Sequence, residues 1–209
     1  MRRLIGVLVA VALILGLLAL GDVWVRHRVQ TRMAEHIQSR VPGSTASVHI
    51  TSFPFLGRLA VSGKVPELDA RVRGVSAFGL DFSTINVVVH GLEVDNSKLF
   101  SREVILQGID SGSVVGDIPQ SSIDRLTGLS VGLGSGTVEV AGVTLTPSVS
   151  VTGGAIVVTL PHLPEIRLPI PELPLLPCVG SVAIIPGALR LSCQLTQLPP
   201  ALANATLRF

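Results

Sequence analysis

Val143-Thr144-Leu145-Thr146-Pro147-Ser148-Val149-Ser150-Val151 alternates aliphatic with mostly hydroxyl-bearing residues. Val143, Leu145, Val149 and Val151 fall on one side of an extended chain, and Thr144, Thr146, Ser148 and Ser150 on the other. That period of two predicts a strand with one buried face and one wet face. The pattern recurs in Ile85-Asn86-Val87-Val88-Val89, in Thr137-Val138-Glu139-Val140 and in Leu189-Arg190-Leu191-Ser192-Cys193. From Ser44 onward roughly ten such runs are separated by Gly, Pro, Asn and Ser, and turns this short favour antiparallel hairpins over crossover units. No fixed-period repeat is visible.

Before the β-rich body, Asp22 to Arg40 reads as an amphipathic helix. Val29, Met33, Ile37 and Val41 recur every fourth residue, with Arg28, Arg32, Glu35 and His36 on other faces. A second, short helix is predicted over Pro119 to Leu126, with proline in its first turn. The expected fold is therefore α+β, mainly antiparallel β, with residues 22–209 as a single domain. Residues 126–189 carry only Glu139, Glu165, Arg167 and Glu172 as charges, which predicts a charge-poor surface. Residues 161–177 hold six prolines among Leu and Ile, so this segment cannot be a central strand and reads as an edge strand or an extended apolar segment.

The N-terminus is of a different kind. Leu4 to Gly21 is free of charge, hydroxyl and amide groups, and as a helix it spans roughly 27 Å, close to the hydrocarbon thickness of a bilayer. Small residues at Ala19 and Gly21 also suit cleavage before Asp22, so residues 1–21 are either a signal peptide or a transmembrane anchor. No cysteine follows the run, which excludes a lipoprotein anchor. Both readings place residues 22–209 outside the cytoplasmic membrane, on its outer face or in the periplasm, anchored or released after cleavage at about Gly21.

The 209-residue chain is 47% hydrophobic, 14% charged and 3% aromatic, with no tyrosine and a net charge of +2. Arg2 and Arg3 account for that +2, so the body beyond them is neutral. Such a chain is too apolar for a disordered tail and lacks the clustered Lys and Arg of a nucleic-acid binder. Cys178 and Cys193 are the only cysteines, and they flank the turn dipeptide Pro186-Gly187. Strands folding back there bring the thiols nearly opposite, and an oxidising compartment joins them, contributing about 3 kcal/mol. The alternative is a pair of buried free thiols.

Catalytic patterns fare poorly. Gly128-Leu129-Ser130-Val131-Gly132 matches the serine-hydrolase elbow, but a predicted helix precedes Ser130 and glycine-rich β sequence follows it, where the elbow needs strand, serine, helix. His27, His36, His49, His90 and His162 are scattered without metal-ligand spacing. The chain is therefore read as non-enzymatic, with no metal or other cofactor. What remains is a surplus of aliphatic surface, explained either by a large dry core or by a groove for an acyl chain. At about 0.8 kcal/mol per methylene, a sixteen-carbon chain gains roughly 12 kcal/mol before entropy is subtracted.

Phe53-Pro54-Phe55-Leu56-Gly57-Arg58-Leu59, soon after an N-terminal helix and ahead of Gly63, resembles the opening of a family of exported actinobacterial envelope proteins, the LmeA-like phospholipid-binding proteins. Leu173-Pro174-Leu175-Leu176-Pro177, followed by Val182-Ala183-Ile184 and Gly187-Ala188-Leu189-Arg190-Leu191, is similar to that family's C-terminal end. The resemblance implies a phospholipid partner of phosphatidylinositol type, and a role in lipomannan and lipoarabinomannan maturation or envelope maintenance. It also implies a tubular (TULIP-like) architecture, a long helix cradled by a strongly curved antiparallel sheet. On this expectation Val29, Met33 and Ile37, with Phe53, Phe55, Phe78 and Phe82, line or gate an apolar groove, and Arg58 or Lys64 meets a phosphate. The competing expectation is a membrane-anchored accessory subunit that binds another envelope protein through its uncharged C-terminal face.

Overall fold

A computed structural model of the chain describes residues 2–77, 79–95, 103–152, 155–160, 165–169, 180–198 and 206–208. Helix α1 runs unbroken from Arg2 to Arg40, 39 residues or about 58 Å. The Asp22–Arg40 helix is thus the second half of a longer rod, because nothing between Leu20 and Val23 breaks helix hydrogen bonding. Among the described residues, no helix is long and apolar enough to cross a membrane. The side chains of the first turns of α1 lie outside the described set.

The predicted stripe is the face that α1 buries: Val29, Met33 and Ile37 are all part of the core. The helix packs along strand β1 (Thr45–Ile50) and against helix α2 (Phe55–Ser62). Strand β2 (Lys64–Ala77) and strand β3 (Leu80–Val94) then form a long antiparallel hairpin. Strands β4 (Glu103–Gly108) and β5 (Ser111–Pro119) follow, then helix α3 (Gln120–Thr127), which begins one residue after the predicted Pro119 and closes on Gly128. Two short hairpin sets come next: β6 (Val131–Leu133), β7 (Val138–Val140) and β8 (Val143–Leu145), then β9 (Ser148–Thr152), β10 (Ala155–Thr159) and β11 (Ile166–Pro169). Strands β12 (Ser181–Ile185), β13 (Ala188–Leu195) and β14 (Thr206–Arg208) complete the described chain.

Six strands lie in the order β1-β2-β3-β5-β13-β12, with β4 pairing both β3 and β14, so this sheet of eight strands is open and not a closed barrel. β6-β7-β8 and β11-β10-β9 form two separate three-stranded sheets. Every pairing among the described strands is antiparallel, as the short turns predict. β11, the described part of the proline-rich 161–177 segment, is an edge strand as expected.

The core face of the β2–β3 hairpin changes parity twice while its register stays constant. Leu80 and Phe82 face inward, then Ile85, Val87 and Val89, then Leu92 and Val94, and β2 follows in step with Val75, then Val72, Ala70 and Leu68, then Val65. The two changes coincide with Gly74 (φ 70°) and Gly91 (φ 62°), a backbone region that a side chain rarely adopts. The hairpin therefore turns about its own axis and keeps aliphatic residues on the interior along its whole length.

Two expectations are corrected. The run Val143–Val151 is two strands in two different sheets: Pro147 interrupts it, since proline supplies no ladder donor, and Val143 is exposed. Helix α2 occupies Phe55–Ser62, in a part of the chain where no helix was expected.

Candidate functional site

One face of the large sheet packs with α1, α2, α3 and the two small sheets around an interior made almost wholly of aliphatic side chains. Two cavities lie among its described residues. The first, about 40 Å³, is walled by Ile123 and Thr127 of α3, Val131, Leu133 and Val138 of the β6–β8 sheet, Leu168 of β11, and Leu189 of β13. Backbone bonds hold these walls together: the Gly136 amide donates to Ile184 O at 3.1 Å, and the Gly187 amide to Leu133 O at 2.9 Å. Two side chains add to them, with Asp124 Oδ1 accepting the Val131 amide and Gln120 Oε1 the Leu133 amide. The second cavity, about 20 Å³, lies at the other end, among Val29 and Met33 of α1, Phe55 and Leu59 of α2, and Leu68 and Leu92 of the hairpin.

The structure brings part of the predicted set together. Val29, Met33 and Phe55 line the second cavity, and Ile37 is buried beside them in the core. Phe82 is buried too, but it lines neither cavity: its ring lies over Gly116, where a Cβ would sit 3.3 Å from Phe82 Cδ1. Phe53 stands 60% exposed, and Arg58 is exposed on α2. Phe78 lies outside the described residues. Lys64 is already engaged, with Nζ 2.9 Å from both Glu93 Oε1 and Asp110 Oδ1. Hydrogen bonds to Asp110 first and Glu93 second hold its ammonium pKa above the ordinary lysine value. A phosphate at Lys64 has to displace two carboxylates. Sequence reasoning missed Leu59, whose i, i+4 spacing from Phe55 was the available signal, and the α3-end walls, which only tertiary folding assembles.

Asp22 is the buried polar group that ties these elements together. It is 3% exposed, and its Oδ2 accepts the Phe55 amide at 2.9 Å, satisfying a free donor at the start of α2. Arg26 adds a bond to Ser52 O at 3.4 Å.

Ser130 sits between α3 and β6, so the order is helix, serine, strand, the reverse of a nucleophile elbow. No cluster of three or more His, Cys, Asp or Glu suited to a metal occurs among the described residues. Cys193 is buried in β13, and Cys178 lies outside the described residues.

The model of a family described as LmeA-like phospholipid-binding matches residues 20–194, from the end of the apolar run to the last strand of the β12–β13 hairpin. Neither the curated proteins nor the solved structures contain a significant match to the chain.

Proposed function

The chain belongs to the LmeA-like phospholipid-binding family, and from that premise we propose that it is an exported envelope protein that holds a phospholipid by its acyl chains within the aliphatic interior. The observation that carries this reading is the wall of the α3-end cavity. Eleven of its twelve lining residues are Val, Leu or Ile and the twelfth is Thr127. An acyl chain needs no polar partner along its length, so such a wall suits it and little else. Phosphatidylinositol-type lipids, and a role in lipomannan and lipoarabinomannan maturation or envelope upkeep, are part of the proposal. So is export by residues 1–21, as cleaved signal or retained anchor: Leu13, Leu15, Leu17, Leu18 and Leu20 are all at least 60% exposed on α1, an arrangement suited to an apolar medium. A Cys178–Cys193 disulfide completes it, supported by the absence of free cysteine among the described residues.

The test is native mass spectrometry of the protein purified from its own host, with extraction of what it carries. Phospholipid bound at about one molecule per chain is expected. Clean apo protein that also takes up no phosphatidylinositol from vesicles would sink the proposal.

One observation favours a second reading, an accessory subunit that binds another envelope protein. The two interior cavities are small, and Leu126, Leu129 and Val143 are exposed near α3 and β8. Co-purification of a stoichiometric protein with lipid-free chain is the outcome that selects it.

A further inference from the structure

The end of α1 nearest the body meets a second group of exposed apolar side chains. Asp22 ties the first turn of α2 to α1, so α2 sits where the apolar half of α1 ends. α2 turns Phe55 and Leu59 inward, and outward it shows Val61, 88% exposed, with Phe53 60% exposed just ahead of it. Trp24, the only tryptophan of the chain, is 69% exposed one turn beyond Gly21. Large exposed side chains at these three positions around the α1–α2 junction carry an unfavourable hydration cost that the fold itself does not offset.

Two cations lie beside them, while Lys64 past the far end of α2 is already paired with Glu93 and Asp110. Arg28 and Arg58 are exposed, and neither belongs to an ion pair among the described residues. At 1.5 Å per residue, Trp24 lies about 5 Å and Arg28 about 10 Å past Gly21 along α1, the depth of an interfacial and headgroup layer if the apolar half of α1 is embedded.

We infer that Trp24, Phe53 and Val61, flanked by Arg28 and Arg58, form the surface on which the body rests against a phospholipid leaflet bearing anionic headgroups. The inference builds on the export and lipid-binding reading above. It adds an orientation: α2 is pressed on the leaflet with its inner face closing the second cavity, and α3 points away. α2 immediately precedes Lys64 at one end of the β2–β3 hairpin, whereas Ser122 of α3 binds the Asp81 amide at the other. Fourteen residues of β2 set these ends up to about 45 Å apart.

The full chain, reconstituted in phosphatidylcholine vesicles with and without phosphatidylglycerol, tests this with one environment-sensitive label at a time. Val61→Cys reports the proposed surface, and Val143→Cys, also exposed but on β8, reports the α3 end. The expected result is a blue-shifted Val61 label, quenched severalfold more by lipid-borne than by aqueous quenchers, and a Val143 label of the opposite behaviour. Arg58→Glu should move the Val61 label outward only in vesicles containing phosphatidylglycerol. A Val61 label as open to aqueous iodide as the Val143 label overturns the inference. The labels read depth whether or not the interior carries lipid, so extraction of bound lipid from the same samples scores the lipid-binding reading separately.

Discussion

Asp22 entered the sequence reading only as the start of a predicted helix and the residue that follows the cleavage point, the mark of a boundary. In the folded chain it is a buried cap whose carboxylate accepts an amide 33 residues away. No spacing rule reports such a pair, because the partner is set by how α1 and α2 cross and not by any local pattern. Losing an N-terminal cap costs about 1–2 kcal/mol, and the buried amide left without an acceptor accounts for much of it. Asp22→Ala should therefore lower the unfolding free energy by that amount, read as a lower urea midpoint with an unchanged m value, and Asp22→Asn, whose amide oxygen still accepts, should lose less. The stripe Val29, Met33 and Ile37 was legible for the opposite reason. Its information is local, one residue per turn, and burial of the stripe is all that its packing requires.

At the scale of elements, α3 shows what holds a short helix of poor intrinsic stability in place. Its Ser122 Oγ accepts the Asp81 amide at 2.8 Å, and Arg125 reaches Asp81 Oδ2 at 2.6 Å while Ser76 donates to Asp81 Oδ1. The Ser76 hydroxyl first, and the Arg125 guanidinium second, hold the Asp81 carboxyl below its ordinary pKa. A group whose pKa is lower when folded adds stability above its unfolded value, near 4, and that stability is lost as pH falls through the folded value. Amide exchange in α3 should thus accelerate as pH drops below about 4, relative to exchange in β3 and after correction for intrinsic rates. Asp81→Asn should show the faster exchange already at neutral pH, with no further acid step. α3 was readable from Pro119 and the polar turn after it. α2 was not, since eight residues with two inward positions give too short a period to stand out from β-rich neighbours. The run Val143–Val151 misled in the reverse direction: its alternation is real, yet Pro147 divides it between two sheets.

Over the whole molecule, the aliphatic surplus seen in the composition is accounted for by one interior that runs from α2 to α3. What composition did not reveal is how full that interior is. The two cavities, about 40 Å³ and about 20 Å³, fall far short of the roughly 300 Å³ at which ligand sites begin. A lipid chain that enters either of these two cavities needs layers to part. The β6–β8 sheet is the layer best able to move, being a separate three-stranded sheet that meets the β12–β13 turn through the Gly136 and Gly187 amides. Its Val138 is buried against the α3-end cavity. A ring added there, as in Val138→Phe, consumes the space into which a chain would thread, at an overpacking cost of about 1–3 kcal/mol that leaves the fold standing. Val115→Phe, on the outer face of β5, adds the same volume away from the interior. Native mass spectrometry should find lipid occupancy cut severalfold in Val138→Phe and unchanged in Val115→Phe, with both variants matching the wild-type circular dichroism spectrum. Equal occupancy in all three proteins would place the acyl chains elsewhere than the α3 end, and loss in both would trace the effect to stability and not to the cavity.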